Sequence, residues 1–296
     1  MKKAVITGAA GFAGYSVTSE LLDKCYEVYA VLRPGSEHNH RLVGLSEHIH
    51  LIELDQTDFD RIDRMVACDC DEFYHLAWSG KRDDFSEQVK NIDSCIKALE
   101  SAKKLNCHRF IGIGSQAEYG LCDIIMQEEL TPNPVNAYGS AKTAAMYLSK
   151  RRAEQLGIEW IWGRIFSLYG DFEPSGRMLP ELITALKENK DIKLSSCEQE
   201  WDYLHVRDAA KAIVMLGELG HSGEVYNIAN GSFRPLKEYV EEAKSLFPYT
   251  GMIDYGAKAD PFVTLKPDVN KLKDHTGWKP VIPFDEGVIR FANEKD

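Results

Sequence analysis

Short apolar runs alternate with amphipathic stretches through the first half of the chain. The apolar runs are rich in β-branched residues, and the amphipathic stretches repeat apolar positions at helical spacing. This alternation is typical of a parallel β-sheet that is covered by helices on both faces. It predicts strands over residues 3–7, 27–32, 49–54, 72–76, 109–113 and 158–165, and helices over residues 12–23, 58–67, 85–104 and 135–155.

The pattern changes after about residue 170, where shorter elements are separated by Pro, Gly and charged turns. These shorter elements are expected over residues 179–187, 192–195 and 203–206. A helix over residues 207–217 and a buried strand over residues 224–228 then follow. We therefore expect a main α/β domain over residues 1–170, to which residues 207–230 return, and a smaller lobe formed mainly by residues 171–296.

The charge of the chain narrows the classes of ligand. Its 296 residues carry a formal net charge of −11. Proteins that bind nucleic acid or a membrane surface cluster Lys and Arg against phosphate, so this charge argues against both kinds of ligand.

The sequence also indicates where the protein is located. No run of about 18 apolar residues is present, so no membrane-spanning helix is expected. Glycines interrupt the apolar residues behind the N-terminal lysines, which argues against an export signal and for a cytoplasmic protein.

Cysteine and histidine positions do not indicate a disulfide framework or a metal centre. The seven cysteines are an odd number at irregular spacing, so we expect reduced thiols. The pairs His38/His40 and His48/His50 could each place two imidazoles on one face of a strand. No Cys, Asp or Glu completes a ligand set at a recognisable spacing, and we expect no metal.

A glycine-rich turn, Thr7-Gly8-Ala9-Ala10-Gly11-Phe12-Ala13-Gly14, connects the first predicted strand to the first predicted helix. Glycines in this position allow a tight turn and let the backbone approach a pyrophosphate, whose charge interacts with the N-terminus of the helix. The turn, taken with the alternating strands and helices, predicts a Rossmann-type doubly wound sheet that binds a dinucleotide. Gly8, Gly11, Phe12 and Gly14 are the expected contacts.

The residue after the second strand bears on the choice of dinucleotide. An acidic residue at this point accepts hydrogen bonds from a ribose 2′-hydroxyl, whereas an Arg favours a 2′-phosphate. The second strand is followed by Arg33, so NADP is favoured over NAD, unless Arg33 is only a solvated loop charge. Asp55, which follows the third strand, is placed to accept from the adenine amino group or, alternatively, to cap the next helix.

The catalytic candidates are Ser115, Tyr138 and Lys142. Tyr138 and Lys142 form a YxxxK pair in a predicted helix, which places the phenol and the ammonium on one face. A nearby Lys⁺ favours the phenolate and would lower the pKa of Tyr138 into a range useful for proton transfer. Ser115 follows the fifth strand, at the edge where such sheets bind ligands.

Four segments, TGAAGFAG, GSQAEYG, YGSAK and DYLHVRDAA, together resemble the extended short-chain dehydrogenase/reductase family of nucleotide-sugar epimerases, dehydratases and reductases. The resemblance covers essentially the whole chain. It implies an NAD(P)-dependent oxidoreductase in which Ser115 hydrogen-bonds the reacting oxygen, Tyr138 exchanges a proton and Lys142 binds the nicotinamide ribose. It also implies that the lobe binds the substrate.

Further roles also follow only from this resemblance. Leu76 and Ala77 match the family's cofactor-contacting turn after the fourth strand. Asn91 matches a family Asn that shapes a helix or relays water, although an ordinary helical Asn is an equal alternative. The helices 85–104 and 135–155 would pair across a two-fold axis in a homodimer, but their apolar faces would also suit packing on the sheet.

The residues after Ser115 distinguish among the family's reactions. Dehydratases of the family carry Asp-Glu there, whereas this chain has Gln116-Ala117, which cannot act as a general acid and base. The stretch resembles reductases of 4-keto-6-deoxy sugars, so we expect hydride reduction of a 4-keto-(6-deoxy) sugar nucleotide. The alternatives are an NAD-dependent nucleotide-sugar 4-epimerase and, from another class, a non-catalytic NADP-sensing protein.

Substrate contacts depart from the family pattern at two positions. Ser167 replaces the Asn that usually contacts substrate phosphate, and Trp201 stands where many relatives have an Arg that binds the diphosphate. Arg177 or Arg234 could supply the missing charge, and Trp201 could stack on a base or sugar. Alternatively, Trp201 and Arg177 are ordinary lobe residues. The candidate substrate-binding set is therefore Gln116, Ser167, Arg177, Trp201 and Arg234.

Overall fold

The computed structural model describes residues 1–260 and 263–293. Strands and helices alternate through the first half of the chain: β1 (Lys3–Thr7), α1 (Phe12–Asp23), β2 (Glu27–Leu32), β3 (Ile49–Glu53), α2 (Ile62–Val66), β4 (Glu72–His75), α3 (Phe85–Lys104), β5 (Arg109–Ser115), α4 (Ala137–Leu156) and β6 (Glu159–Ile165). Short 3-10 helices lie at Glu37–Leu42, Gln56–Arg61 and Gln116–Glu118.

The second half contains shorter strands and five more α-helices within the described residues. They are β7 (Ser167–Tyr169), α5 (Met178–Glu188), β8 (Ile192–Lys193), β9 (Glu200–Trp201), β10 (Tyr203–His205), α6 (Val206–Leu219), β11 (Val225–Ile228), β12 (Arg234–Pro235), α7 (Leu236–Ser245), β13 (Ile253–Asp254), α8 (Asn270–Thr276) and α9 (Phe284–Asn293).

Seven strands form the central sheet in the order β11-β6-β5-β4-β1-β2-β3, and every neighbouring pair is parallel. The predicted α/β fold of the Rossmann type is confirmed. From β1 the chain builds outward through β2 and β3 and then returns to β4 on the other side of β1. Ligands bind at such a reversal, outside the carboxyl ends of the strands.

Both faces of the sheet are covered by apolar side chains, which explains why the strands read as continuous hydrophobic runs. On one face, α1 and α6 pack together and bury residues such as Leu21 and Ile213. On the other, α3 and α4 pack together and bury Leu99 and Ala145. A separate cluster that includes Leu182 and residues of α7 and α9 forms the core of the second half.

Three small two-stranded sheets, β7 with β10, β9 with β12, and β8 with β13, lie outside the central sheet. β11 pairs with β6, so the chain re-enters the central sheet after α6. The division into a domain over 1–170 and a lobe over 171–296 stays a prediction. Among the described residues, none of the helices is long and apolar enough to cross a membrane.

Local capping accounts for the differences from the predicted elements. In place of the helix expected over residues 58–67, the structure has a 3-10 helix and a short α-helix. The 3-10 helix follows its N-cap, Asp55, and has a kink at Asp58, and α2 comes directly after it. α4 starts at Ala137 rather than at residue 135 because the Asn136 side chain accepts from the Gly139 N–H at 2.8 Å. The strand predicted over 109–113 extends to Ser115.

Candidate active site

The glycine-rich turn after β1 leaves no room for side chains. A Cβ at Gly14 would lie 2.0 Å from the Gly8 carbonyl oxygen, and one at Gly8, where φ is 71°, would lie 2.8 Å from the Ala77 nitrogen. Gly11 caps α1 without a side-chain hydrogen bond, and no acidic residue occupies the first turn of the helix. The amide groups and the positive end of the helix dipole are therefore available to an anion such as a pyrophosphate.

A first cavity of about 640 Å³ extends from this turn towards the ends of β2 and β3. Arg33, Ser36 and His38 line it, and Arg33 makes no salt bridge with any residue that the structure describes. Asp55 also lines it and accepts from the Thr57 N–H at 3.0 Å, a hydrogen bond that lowers the pKa of Asp55. Asp55 therefore caps the following 3-10 helix while one side of it faces the cavity.

A second cavity of about 720 Å³ lies over the carboxyl ends of β5 and β6. It brings together the predicted catalytic residues with most of the predicted substrate residues. Four residues line both cavities, namely Gly8, Gly11, Leu76 and Trp78. Two adjoining cavities that meet at a glycine-rich helix N-terminus fit an extended dinucleotide, with its pyrophosphate at the junction. Phe12, Gly14, Gln116, Ser167, Arg177 and Trp201 line the second cavity beside Ser115, Tyr138 and Lys142.

Ser115 is held in place by the capping box of the 3-10 helix that follows β5. Its hydroxyl accepts from the Ala117 N–H at 3.2 Å, and the Glu118 carboxylate accepts from the Ser115 N–H at 2.9 Å. The Ser115 hydroxyl also interacts with the Tyr138 phenol, and both side chains line the cavity. Ser115 thus has the position and hydrogen-bonding capacity expected of a residue that polarises a carbonyl group.

Lys142 projects from α4 into the interior and is 4 % exposed. Its ammonium donates to the Ile113 carbonyl oxygen at 2.6 Å and lies 3.6 Å from the centre of the Trp78 ring. Burial lowers the pKa of Lys142 to about 7, and the Glu118 carboxylate opposes this shift.

Tyr138 lies one helical turn before Lys142, and burial raises the pKa of its phenol. The hydroxyl of Ser115 and the guanidinium of Arg82 oppose this increase. The sequence predicted that Lys142 would lower the pKa of Tyr138, and here the structure differs. The Lys142 ammonium lies 6.0 Å from the centre of the Tyr138 ring and is held by the Ile113 carbonyl and Trp78 instead.

A buried ion pair behind Ser115 was not predicted. The Arg164 guanidinium donates to the Glu118 carboxylate at 2.8 Å, and the Trp162 indole donates to the same carboxylate at 3.0 Å. Both charged side chains are almost fully buried. Because Glu118 also accepts from the Ser115 N–H, this pair ties the end of β6 to the turn that carries Ser115.

These geometric features coincide with a match to a known family. The model of the NAD dependent epimerase/dehydratase family matches residues 4–229. The chain belongs to the NAD dependent epimerase/dehydratase family. This family lies within the extended short-chain dehydrogenase/reductase superfamily, so the resemblance seen in the four sequence segments is confirmed.

Proteins that are similar to this chain include epimerases and dehydratases. A putative UDP-glucose 4-epimerase of Methanocaldococcus jannaschii is 25% identical and aligns with 98% of this chain and 97% of its own length. The structure of a dTDP-glucose 4,6-dehydratase from Bacillus anthracis in complex with NAD has a TM-score of 0.88 at 20% identity, with 99% and 96% of the two chains covered. RMD from Pseudomonas aeruginosa, complexed with NADPH, has a TM-score of 0.81 at 20% identity, with coverage of 99% and 97%. The two structures show the shared fold.

The two residues that depart from the family pattern contact each other in the second cavity. The Trp201 indole donates to the Ser167 hydroxyl at 3.0 Å, and both residues line the cavity. Arg177 lines it as well, with 53% of its side chain exposed. Trp201 therefore uses the Ser167 oxygen as its hydrogen-bond partner.

Arg234 is not brought into either cavity. Its guanidinium pairs with Glu242 and lies 4.0 Å from the centre of the Tyr239 ring. In the backbone, Arg234 of β12 lies opposite Trp201 of the antiparallel strand β9. Arg234 therefore supports the strand that carries Trp201. The prediction that Arg234 supplies charge to the substrate site is not supported by this placement.

Glu173 is a cavity residue that the sequence did not reveal, since it lies in a polar loop between β7 and α5. Only 3% of its side chain is exposed, and burial raises the pKa of its carboxyl to about 7. One carboxyl oxygen lies 3.7 Å from the Arg177 guanidinium, and the other has no hydrogen-bond partner among the described residues. Glu173 lines the second cavity through the same loop that carries Arg177.

Leu76 and Ala77 form the turn after β4, where the family places a cofactor contact, and Ala77 abuts Gly8. Asn91 anchors this region because its amide accepts from the Ser79 N–H at 3.0 Å and donates to the Ser79 carbonyl at 2.9 Å. Asn91 thus fixes the loop that follows the turn, a function that differs from both family roles considered for it.

The histidine pairs do not assemble a metal centre. His38 and His40 lie in a 3-10 helix, and His50 stacks on the Tyr29 ring and pairs with Glu27. No group of three or more His, Cys, Asp or Glu side chains in the described part of the chain is arranged to hold a metal ion. All seven cysteines are free.

Proposed function

We propose that this chain is a reductase that uses NADPH to reduce the keto group of a 4-keto-6-deoxy nucleotide sugar. The observation that carries the proposal is the second cavity, where Ser115, Tyr138 and Lys142 meet beside Gln116 without a carboxyl group at position 116 or 117. Such a site can protonate and polarise a carbonyl oxygen, but the residues that follow Ser115 cannot remove water from a sugar.

Tyr138, Ser115 and Lys142 have different roles in the reduction of the carbonyl group. Tyr138 donates its proton to the carbonyl oxygen, since burial raises the pKa of its phenol and so keeps it protonated at neutral pH. Ser115 donates a hydrogen bond to the same oxygen as negative charge develops there. Lys142 binds the ribose of the cofactor. A bound reduced nicotinamide supplies the hydride.

Arg33 supports NADPH as the cofactor. It lines the first cavity next to Ser36 and His38 and makes no salt bridge with the described residues. A cation that is free in this way can pair with a 2′-phosphate through charge-assisted hydrogen bonds. Structures of similar fold hold NAD in one case and NADPH in another, so the preference has to be measured on this chain.

Arg177, Ser167 and Trp201 are proposed to bind the nucleotide sugar. Arg177 is half exposed and only loosely paired, so its guanidinium can turn towards a diphosphate. Trp201 offers an aromatic face for a base or a sugar. The larger part of this site comes from residues after 170, in keeping with the proposed division into a dinucleotide-binding domain and a substrate lobe.

We also propose a homodimer formed through α3 and α4. These two helices pack side by side and expose large apolar residues, with Phe85 at 74%, Val89 at 62% and Leu148 at 53% exposure. Large apolar side chains exposed on neighbouring helices are typical of a self-complementary interface. The molecular mass in solution at several concentrations tests this proposal.

Cofactor stoichiometry tests the proposed reaction. The protein is incubated with a 4-keto-6-deoxy nucleotide sugar and NADPH that carries deuterium at the transferred position, while the absorbance of the reduced cofactor is followed. A reductase consumes one NADPH for each sugar and places the deuterium in the product. Absence of consumption, together with copurifying NAD and inversion at C4 of a hexose nucleotide, would overturn the reductase in favour of a 4-epimerase, the activity named for the Methanocaldococcus relative.

A further inference from the structure

Trp78 occupies the junction of the two cavities, directly after the Leu76-Ala77 turn. It lines both cavities, and its ring contacts two of the three proposed catalytic residues. The Lys142 ammonium lies 3.6 Å from the centre of the ring, and the Tyr138 ring meets it edge-on at 6.1 Å between centroids. A dinucleotide that spans both cavities has to pass this side chain.

The indole compensates for a shortage of hydrogen-bond acceptors around Lys142. An ammonium group has three N–H donors, and the described residues provide it with one acceptor, the Ile113 carbonyl. A buried charge with unsatisfied donors is costly, and an aromatic face under a desolvated cation offsets part of that cost. The Trp78 ring therefore stabilises the charged form of Lys142.

The ring itself is fixed from behind. Its indole N–H donates to the Gln88 side-chain oxygen at 2.9 Å, and the Gln88 amide donates to the Lys81 carbonyl at 2.9 Å. Gln88 is 2% exposed. A buried residue of α3 thus sets the plane of the indole on which Lys142 rests.

We propose that Trp78 is a positioning residue that holds the protonated Lys142 side chain beside Tyr138 and forms the wall along which the dinucleotide enters the second cavity. The inference rests on the proposed function in one respect, the assignment of Lys142 to the cofactor. It adds to the site a residue whose contribution depends on its aromatic face rather than on a transferable proton.

The contact between the Trp78 ring and the Lys142 ammonium can be followed through the pH at which Lys142 loses its proton. The groups that act on it are the Glu118 carboxylate, the Cys95 thiol and His75, with Tyr138 at the next turn of α4. Loss of the aromatic face disfavours the ammonium and moves its titration to lower pH. Loss of bulk alone would relieve the burial that lowers this pKa and move the titration to higher pH, so only a shift to lower pH reports the aromatic face.

The test measures the dissociation constant of the reduced cofactor across pH for wild type, Trp78→Phe and Trp78→Leu. NADH is titrated beside NADPH because it lacks the ionisable 2′-phosphate. Affinity is expected to fall as Lys142 loses its proton, and Lys142→Met should abolish this step. Trp78→Leu should move the midpoint down by about one pH unit, and Trp78→Phe by about half as much, since its ring keeps a weaker aromatic face.

Trp160→Phe is the matched control. Trp160 also lies near a lysine, Lys150 at 5.6 Å, and also donates an indole hydrogen bond, but it lines neither cavity. Its midpoint should equal that of wild type. A wild-type midpoint in both Trp78 variants, or an equal shift in Trp160→Phe, would overturn the inference. The phenylalanine variant keeps the test available if the leucine variant does not fold.

This measurement uses no sugar. A failure of the reductase assay therefore contradicts the proposed function and leaves the cofactor titration interpretable. An unshifted titration contradicts the role of Trp78 and leaves the reductase intact.

Discussion

Two sides of the second cavity, one formed by the central sheet with α4 and one by residues after 170, are built differently. On the sheet side, Ser115 and Lys142 are nearly buried, and each is held by partners from another element. On the side formed by residues after 170, Arg177 is half exposed, and its guanidinium lies 3.7 Å from a Glu173 carboxyl oxygen and 5.6 Å from the centre of the Phe12 ring. The difference indicates that the chemical groups are preorganised, whereas the groups proposed to recognise the substrate can rearrange.

The largest effect on cofactor binding is expected at the glycine turn, where Gly14→Val would place a side chain against the Gly8 carbonyl. The turn and α1 must shift, so the affinity for NADPH should fall by about a hundredfold. Fluorescence titration of the reduced cofactor measures the loss. Gly157→Ala is the control, because a Cβ at Gly157, where φ is 63°, meets no atom of the described residues within 4 Å. It should cost about 1 kcal/mol of stability and leave binding unchanged.

Arg33→Ala tests whether the first cavity selects the phosphorylated cofactor. Loss of a charge-assisted contact to a 2′-phosphate should weaken NADPH by about tenfold to thirtyfold and leave NADH unchanged. Arg64→Ala removes an exposed cation from α2 that lines neither cavity and should affect neither cofactor. Equal weakening of NADPH and NADH in Arg33→Ala would argue that Arg33 is a solvated loop charge.

Arg177→Met and Arg234→Met separate substrate binding from support of the lobe. Arg177 lines the cavity, so its loss should raise the KM for the nucleotide sugar by about tenfold with little change in kcat. Arg234 is paired with Glu242 outside the cavity, so its loss should lower the thermal midpoint and leave KM near wild type. The reverse result would show that the lobe binds its ligand through Arg234 after a rearrangement.

Glu173→Gln should change the stability of the fold in a way that depends on pH. Burial raises the pKa of Glu173 to about 7 from its usual 4.5, so the folded state holds the proton more tightly than the unfolded chain. The wild type therefore loses stability as pH rises from 4.5 through 7. The variant lacks this loss and should be more stable by at most about 3 kcal/mol above about pH 8, with a much smaller gain at about pH 5.

Chemical denaturation at these two pH values measures the difference. Glu181→Gln, on the exposed side of α5, should show no comparable pH dependence, since its carboxylate is nearly half exposed. A gain in the Glu173 variant that is equal at both pH values would contradict the assignment of the effect to ionisation.

The sequence predicted the elements best where local signals agree. α1 and α3 have the predicted bounds because apolar spacing and turn residues mark both of their ends. The prediction of one helix over residues 58–67 was wrong because Asp55 caps a 3-10 helix, which has a kink at Asp58. The YxxxK spacing and the end of β5 sufficed to place Ser115, Tyr138 and Lys142 in one cavity.

The remaining site residues depend on contacts between distant segments. Trp78 meets Lys142 only because β4 and α4 approach the same edge of the sheet, and no periodicity reveals this contact. Glu118, in the 3-10 helix after β5, pairs with Arg164 on β6. Arg234, predicted as a substrate residue, lines neither cavity and pairs with Glu242 on α7. Pairings of this kind require the tertiary structure.

The central claim is that Tyr138 transfers the proton during hydride chemistry in the second cavity. The most direct test compares Tyr138→Phe with Tyr147→Phe, which alters a tyrosine of the same helix that is 55% exposed, in the rate of NADPH oxidation by the keto sugar. We predict a fall of about a hundredfold to ten-thousandfold for Tyr138→Phe, with NADPH affinity retained, and a wild-type rate for Tyr147→Phe. Full turnover by Tyr138→Phe would contradict the claim.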